Sequence, residues 1–297
     1  MTKARNVDAS VRQKLLNLSK ARSEDFQLLL TRYAIERLLY RLSTSLHCDR
    51  FVLKGATLFT IWAGIPHRAT RDLDLLGFGD NTPEQLTQVF RELCAVPVDD
   101  DGLRFDGANV RAAPIREDNM YGGIRIELLA ILGTARIPMQ VDVGFGDAIT
   151  PEPSSLTLPV LLDFPAPVLR AYAKETVIAE KFHAMVVLGM TNSRMKDFFD
   201  IAWLADNFEF DEAVLRNAIR ATFLRRETAM PQEMPLALTA DFHGDATKQR
   251  QWIAFVSRIN QARSSLQSVV ERIAVFLEPF VAVHPKQKHW PAGGPWS

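Results

Sequence analysis

The chain has only two cysteines, Cys48 and Cys94, among 297 residues. They stand far apart, with no C-x-x-C spacing and no Cys/His companions, which argues against a disulfide framework and a structural zinc site. Net charge is also missing. The 35 Lys and Arg balance 35 Asp and Glu, so no uniformly basic coat exists for nucleic acid, and an anionic partner must be met by a local patch. Apolar runs are short: the charge-free stretch from Gly55 to His67 falls below a membrane span, and the opening MTKARNVDASVRQ has no signal-peptide apolar region. These absences predict a cytoplasmic protein with no membrane contact. Neither G-x-x-x-x-G-K-[ST] nor G-x-G-x-x-G occurs, which sets P-loop and Rossmann chemistry aside.

What is present divides the chain by texture. Residues 1–50 carry ten Lys/Arg against five Asp/Glu and read as a basic arm leading into one long amphipathic helix. Its apolar positions Phe26, Leu29, Leu30, Tyr33, Ile35, Leu38, Leu39 and Leu42 recur at helical spacing. From Phe51, short apolar runs such as FVLKGATLF, TRDLDLLGFG and IPMQVDVGF are broken by Gly, Pro and Asp, predicting a strand-rich α/β core over 51–170. Within it, the runs Ile124 to Leu132 and Ile137 to Phe145 flank a Gly-containing loop of hairpin length. One helix, from Thr82 to Cys94, interrupts the strands behind a Thr cap. Pro151 to Pro167 reads as a surface connector. Residues 171–282 predict a helical C-terminal half, with helices near 172–190, 193–204, 211–224, 248–260 and 266–280, and the polar Pro/Gly-rich tail 283–297 reads as disordered. The fold class is α+β.

The segment that carries chemistry is Lys54-Gly55-Ala56-Thr57 followed by Arg68-Ala69-Thr70-Arg71-Asp72-Leu73-Asp74-Leu75. On a strand, side chains alternate, so Asp72 and Asp74 share one face while Leu73 and Leu75 take the other. Two carboxylates this close repel unless a cation lies between them, and hard oxygen ligands suit Mg²⁺. A D-x-D pair alone is common: Asp99 and Asp101 form another, in DDD-Gly, which reads as a solvated turn. Two features raise the first pair above that background. Gly55 has no Cβ to keep a phosphate from the backbone of the Gly55-Ala56-Thr57 turn. Asp142, alternating in Val141-Asp142-Val143, supplies a third acid from a strand that could lie beside the first, as two-metal phosphoryl transfer requires. A strand-end acid facing solvent is the bland alternative for Asp142.

In the helical half, Asp197 and Asp200 share a helix face, and Lys196 has the spacing to pair with Asp200. Lys181 lies among Ala179, Phe182, Met185 and Val186, so it is either a snorkelling edge residue or a phosphate-binding point charge. Phe198, Phe199, Ile201, Trp203 and Leu204 read as core. His67 and His183 have no Ser or Cys partner of triad character and read as surface or satisfied-core residues.

Taken in order, the blocks Arg32 to Leu39, Phe51 to Ala56, Arg68 to Asp74, Val141 to Asp147, Ala179 to Lys181 and Arg194 to Asp200 resemble the AbiEii/AbiGii toxin family of nucleotidyltransferases, a branch of the DNA polymerase β-like superfamily. The resemblance implies a mixed sheet with an N-terminal helix and a helical C-terminal half. It also implies Mg²⁺- or Mn²⁺-dependent transfer of a nucleoside monophosphate from an NTP to RNA, commonly the 3′ end of tRNA. A toxin with a cognate antitoxin encoded nearby, in a toxin–antitoxin system linked to phage defence, is implied as well. By the same resemblance Asp72 and Asp74 are the catalytic metal pair, Lys181 holds the triphosphate, Asp197 belongs to the last active-site motif, Gly55, Ala56 and Thr57 form the nucleotide-binding turn, and Asp142 is a further metal ligand. Ala56 departs from the Gly-Gly or Gly-Ser of the superfamily, which loses a serine hydroxyl and leaves backbone N–H groups and Thr57. Arg216, Arg220, Arg225, Arg226 and the basic N-terminal segment are candidates to track RNA phosphates, and solvated helix faces explain those charges equally well. The alternatives are transfer to a protein or small molecule, or a transfer-inactive nucleotide-binding partner module. A phosphate on Thr70 would crowd the metal carboxylates with like charge.

Overall fold

The structure is a computed structural model that describes residues 6–64, 70–115, 122–259, 264–281 and 288–297. It divides into a sheet unit, Met1–Gly146 with Ser154–Tyr172, and a helical unit, Asp147–Pro153 with Ala173–Ser297.

The sheet unit opens with two helices, α1 (Val7–Arg22) and α2 (Phe26–Ser43), where the sequence suggested an arm and a single helix. Asn6 accepts from the Ala9 N–H to start α1, and Ser23, in the left-handed region at φ 52°, ends it. Val11, Leu15 and Ser19, four apart, give α1 a narrow buried stripe that the basic composition concealed. There follow β1 (Phe51–Lys54), α3 (Thr57–Ala63), β2 (Asp72–Gly77), α4 (Pro83–Ala95), β3 (Leu103–Phe105), β4 (Arg111–Pro114), β5 (Ile124–Leu132), β6 (Ala135–Phe145), β7 (Ser154–Thr157) and β8 (Val168–Ala171). The short α3 is a second helix among the strands. Thr82 caps α4 as expected, accepting from the Gln85 N–H, and α4 buries Leu86, Val89, Phe90 and Leu93 at helical spacing. Each of those side chains contributes about 1.5–3 kcal/mol by leaving water.

The strands form one mixed sheet in the order β3-β5-β6-β2-β1-β8-β7, with β4 paired to β5. The hairpin β5–β6 closes through Gly133 at φ 59°, with a shorter turn than the sequence suggested. The proline-rich connector is partly ordered into the sheet, because β7 pairs with β8. At the centre, β2 runs parallel to β6 and antiparallel to β1. Phe51, Val52 and Leu53 of β1 are buried in succession, as a strand covered on both faces requires.

The DDD-Gly segment is solvated at Asp99 and Asp100 but not at Asp101. Asp101 is buried and accepts from Arg37 Nε at 3.0 Å and from Arg41 Nη1 at 2.7 Å, while its carbonyl accepts from the Tyr33 hydroxyl. Two arginines one turn apart on α2 supply the counter-charge, and nothing in the local sequence around Asp101 announces them.

The helical unit comprises α5 (Lys174–Leu188), α6 (Met195–Asn207), β9 (Phe210–Asp211), α7 (Glu212–Arg225), α8 (Ala240–Gly244), α9 (Ala246–Ile259), α10 (Leu266–Leu277) and β10 (His289–Trp290). The last segment corrects the disordered tail. Residues 288–297 are ordered: β10 pairs with β9, Trp290 is fully buried with its indole N–H donating to the Ala205 carbonyl at 2.7 Å, and Trp296 stacks on Phe276. Two tryptophans outweigh the Pro/Gly composition around them. Among the described residues no helix is long and apolar enough to cross a membrane.

Candidate active site

The alternation read from the sequence holds on β2. Leu73 and Leu75 are buried, Asp72 is exposed and Asp74 half-buried. Register then places a row of charge across four strands: Lys54 on β1 faces Asp74 on β2, Asp74 faces Asp142 on β6, and Asp142 faces Arg125 on β5. Directly opposed residues share a sheet face, so the row reads plus, minus, minus, plus. Its outer member is firmly engaged: Arg125 Nε and Nη2 donate to the two oxygens of Asp142 at 2.9 Å each, a bidentate pair, with Gln140 Nε2 at 3.3–3.4 Å.

The turn after β1 is built around its glycine. Gly55 sits at φ 75°, and a Cβ there would lie 2.0 Å from Asp74 Oδ2. Only glycine therefore lets the turn run this close to the carboxylate. Leu58 and Phe59 N–H groups donate to the Gly55 and Ala56 carbonyls, so the amides ahead of them precede the helical ladder of α3. Ala56 and Thr57 are buried, and the Thr57 hydroxyl is shut off from solvent. Thr70 donates to the Asp72 carbonyl at 3.2 Å. Arg68, Ala69 and His67 lie outside the described residues.

A divalent cation is the natural third party to this arrangement. Among the described residues no group of three or more His, Cys, Asp and Glu is placed to hold a metal. Mg²⁺ does not need one, since it is commonly held by one or two carboxylates together with substrate phosphates and water. Asp72 and Asp74, hard oxygen donors on one face beside a Cβ-free turn, fit that role. Asp142 lies in the same row but is committed to Arg125.

In the helical unit the acids are arranged in the opposite way. Lys181 on α5 places Nζ 2.5 Å from Asp197 Oδ1 and 2.9 Å from Asp200 Oδ2, and Arg194 Nε lies 2.6 Å from Asp197 Oδ2. Both carboxylates are fully buried while 13% of the Lys181 side chain stays exposed. Burial alone would push the Asp197 carboxyl up, but Lys181 and then Arg194 outweigh it and hold it below the ordinary carboxylate range. Asp197 and Asp200 share a face as expected, yet the partner of Asp200 is Lys181 rather than Lys196, which is exposed. Neither open reading of Lys181 named what it does here, which is to anchor two buried acids.

His183, also on α5, is a satisfied histidine. Burial, aided by Arg226, lowers its imidazole to about 4, so it is neutral at pH 7, 2.9 Å from the Thr228 hydroxyl. Arg226 is itself engaged by Asp147 at 3.1 Å and Glu180 at 3.9 Å, and Arg216 pairs with Glu212. Of the four arginines put forward for RNA, Arg220 and Arg225 are the exposed ones. Lys54, Arg125 and Arg194 were given no role from sequence, and of these only Arg194 carries a local signal, by its helical spacing to Asp197.

A mixed sheet that presents a D-x-D pair against a glycine turn, with a helical unit whose half-buried lysine is held by two buried acids, is the arrangement expected of a nucleotidyltransferase. The model of the family described as "Nucleotidyl transferase AbiEii toxin, Type IV TA system" matches residues 37–277, and the chain belongs to that family. Membership brings an NTP as substrate and an antitoxin as partner. No curated protein matches. Among solved structures, JHP933 from Helicobacter pylori is 15% identical with a TM-score of 0.51, over 86% of this chain and 93% of its own. A second H. pylori protein, described as a candidate nucleotidyltransferase, is 16% identical with a TM-score of 0.49, over 86% and 96%. At such identities the likeness to JHP933 speaks for the fold.

Proposed function

We propose that the chain transfers a nucleoside monophosphate from an NTP to an RNA acceptor, the 3′ end of tRNA in the first instance, with Asp72 and Asp74 as the catalytic pair. The observation that carries this reading is the packing of Asp74 against the Cβ-free turn at Gly55, which sets the carboxylate proposed for the metal beside the backbone proposed for the phosphates. A bound Mg²⁺ would neutralise charge on the transferring phosphate. The chain's own residues do the rest. The amides of the Gly55-Ala56-Thr57 turn bind the triphosphate by backbone rather than by the Thr57 hydroxyl, which is enclosed. Asp72 and Asp74 orient the reacting phosphate, and Lys54, opposite Asp74 in register, balances their charge before substrate arrives. Lys181, held by Asp197 and Asp200 with part of its side chain exposed, is, by the family likeness, the proposed phosphate-binding lysine. Positioning and charge neutralisation supply most of the rate in such transfers. Asp142 can enter the metal shell only by releasing Arg125, so two carboxylates suffice in this reading.

The test is incubation of the protein with each labelled NTP, Mg²⁺ or Mn²⁺, and in parallel a tRNA pool and a protein extract. Label in tRNA, lost in Asp72→Asn, supports the proposal. Label in protein or in a small molecule redirects the acceptor, and NTP binding with no pyrophosphate released under any acceptor overturns transfer. Growth inhibition on expression, relieved by Asp72→Asn, tests the toxin role and its place in phage defence.

A further inference from the structure

Within the sheet unit a cavity of about 40 Å³ is lined by Arg32, Glu36, Thr57, Thr60, Thr70 and the segment Leu158–Leu161. That is room for roughly three water molecules. Two of its walls come from the segments that present the candidate site: Thr57 ends the phosphate turn, and Thr70 is bonded to Asp72. Two polar atoms in the walls are orphans. Among the described residues, neither Glu36 Oε1 nor Thr57 Oγ1 has a hydrogen-bond partner, although Glu36 is 3% and Thr57 6% exposed. Buried polar atoms are almost always satisfied, and both orphans belong to residues that line a cavity with room for water.

We propose that Glu36 is a positioning residue for nucleotide binding: through water held in this cavity its carboxyl fixes the Thr57 hydroxyl, and with it the Gly55-Ala56-Thr57 turn. The other Glu36 oxygen accepts from the Leu161 N–H at 2.8 Å, which ties α2 to the 158–161 segment and holds the carboxyl at the cavity wall. The charged groups around it are Arg37, with Nη1 at 3.7 Å from Oε1, and Arg32, itself paired with Glu24 at 2.9 Å. Arg37 is directed chiefly to Asp101 and the Pro165 carbonyl, so at 3.7 Å it gives Glu36 Oε1 an ion pair without a hydrogen bond. Burial accordingly pushes the Glu36 carboxyl up to about 7, as expected of an acid solvated by a few waters rather than by a full counter-charge.

The nucleotide-binding consequence rests on the function proposed above; the effect on the turn does not. Hydrogen–deuterium exchange on the nucleotide-free protein reads the turn directly. Glu36→Leu and Thr57→Val should each speed exchange in the 55–60 segment, and Glu36→Gln, which keeps shape and hydrogen bonding, should leave it as in wild type. In NMP transfer, Glu36→Leu and Thr57→Val should each raise KM for NTP roughly fivefold, the scale of one lost hydrogen bond, with kcat little changed. The double variant should be no worse than either single one, and Glu36→Gln should restore KM. Unaltered exchange at 55–60, or additive KM effects, would overturn the proposal. Thr57→Val guards against the case in which Glu36→Leu, by stranding the Leu161 N–H, fails to fold. Wild-type protein without transfer activity would count against the proposed function and leave the exchange result standing.

Discussion

The molecule carries two pairs of aspartates that look alike in sequence and live in opposite environments. Asp72 and Asp74 sit on a sheet face with one exposed and one half-buried, beside a turn kept open by glycine. Asp197 and Asp200 are fully buried, and their counter-ions, Lys181 and Arg194, are part of the chain. An acid pair whose charge is balanced from within has no use for a cation from solution. The strand-face pair, with Lys54 opposite Asp74 in register, is the one the proposed function gives to a cation. The same residue type is thus an anchor in the helical unit and, under the proposed function, a metal ligand in the sheet unit, and the difference follows from burial. It also assigns Asp197 a job: holding Lys181 in place rather than touching a metal.

Breaking the two pairs should therefore give different symptoms. Asp72→Asn or Asp74→Asn should lower NMP transfer by about 10²–10³-fold or more, the scale of removing one preorganised electrostatic group, while thermal unfolding stays near wild type because the sites are open. Undiminished transfer would remove these residues from the chemistry.

Lys181→Met should instead unfold the protein more easily, by about 3–5 kcal/mol, because it takes the lysine from two buried carboxylates and leaves Asp197 with Arg194. Urea denaturation checks this. Adding Asp200→Asn to Lys181→Met should recover part of the loss, since one stranded charge is gone. A Lys181→Met protein as stable as wild type would show that the anchor does not matter. It follows that loss of activity in Lys181→Ala alone is ambiguous, and activity must be read beside stability.

Arg125→Ala is the milder probe of the sheet. Its pair with Asp142 is partly exposed, 39% and 21%, so the stability cost should be only about 0.2–1 kcal/mol. Cation binding then sharpens the comparison. Mn²⁺ affinity unchanged in Arg125→Ala keeps Asp142 out of the metal shell, and a rise shows that Arg125 was holding a third ligand in reserve.

Much of this was legible in the sequence wherever one element sufficed. Period-two alternation placed Asp72 and Asp74 on one face, the Thr82 cap started α4, and the i, i+3 spacing put Asp197 with Asp200. What the sequence did not show depended on partners brought from far away. Lys54 meets Asp74 only through the β1–β2 register, and Arg125 meets Asp142 only across the hairpin. Asp101 looked like part of a wet turn because Arg37 and Arg41 lie some sixty residues earlier on α2. The tail looked disordered because composition was averaged over Trp290 and Trp296, whose burial alone decides the matter.

The effects of pH run in opposite directions in the two units. Burial raises Glu36 from 4.5 to about 7, so the folded state holds this proton more tightly than the unfolded chain. The stability it brings is fully present below 4.5 and is lost as pH rises through about 7. Burial and Arg226 lower His183 from 6.5 to about 4, so the unfolded chain takes up this proton first. That stability is present above 6.5 and is lost as pH falls towards 4. Wild-type melting temperature between pH 4 and 7 mixes the two, whereas single variants separate them. Glu36→Gln should gain on wild type as pH climbs from 4.5 to 7, and His183→Gln should gain as pH drops from 6.5 to 4. Parallel curves for either variant would show that its group titrates alike in the folded and unfolded chain, and for Glu36 they would remove the burial effect that supports its role beside Thr57.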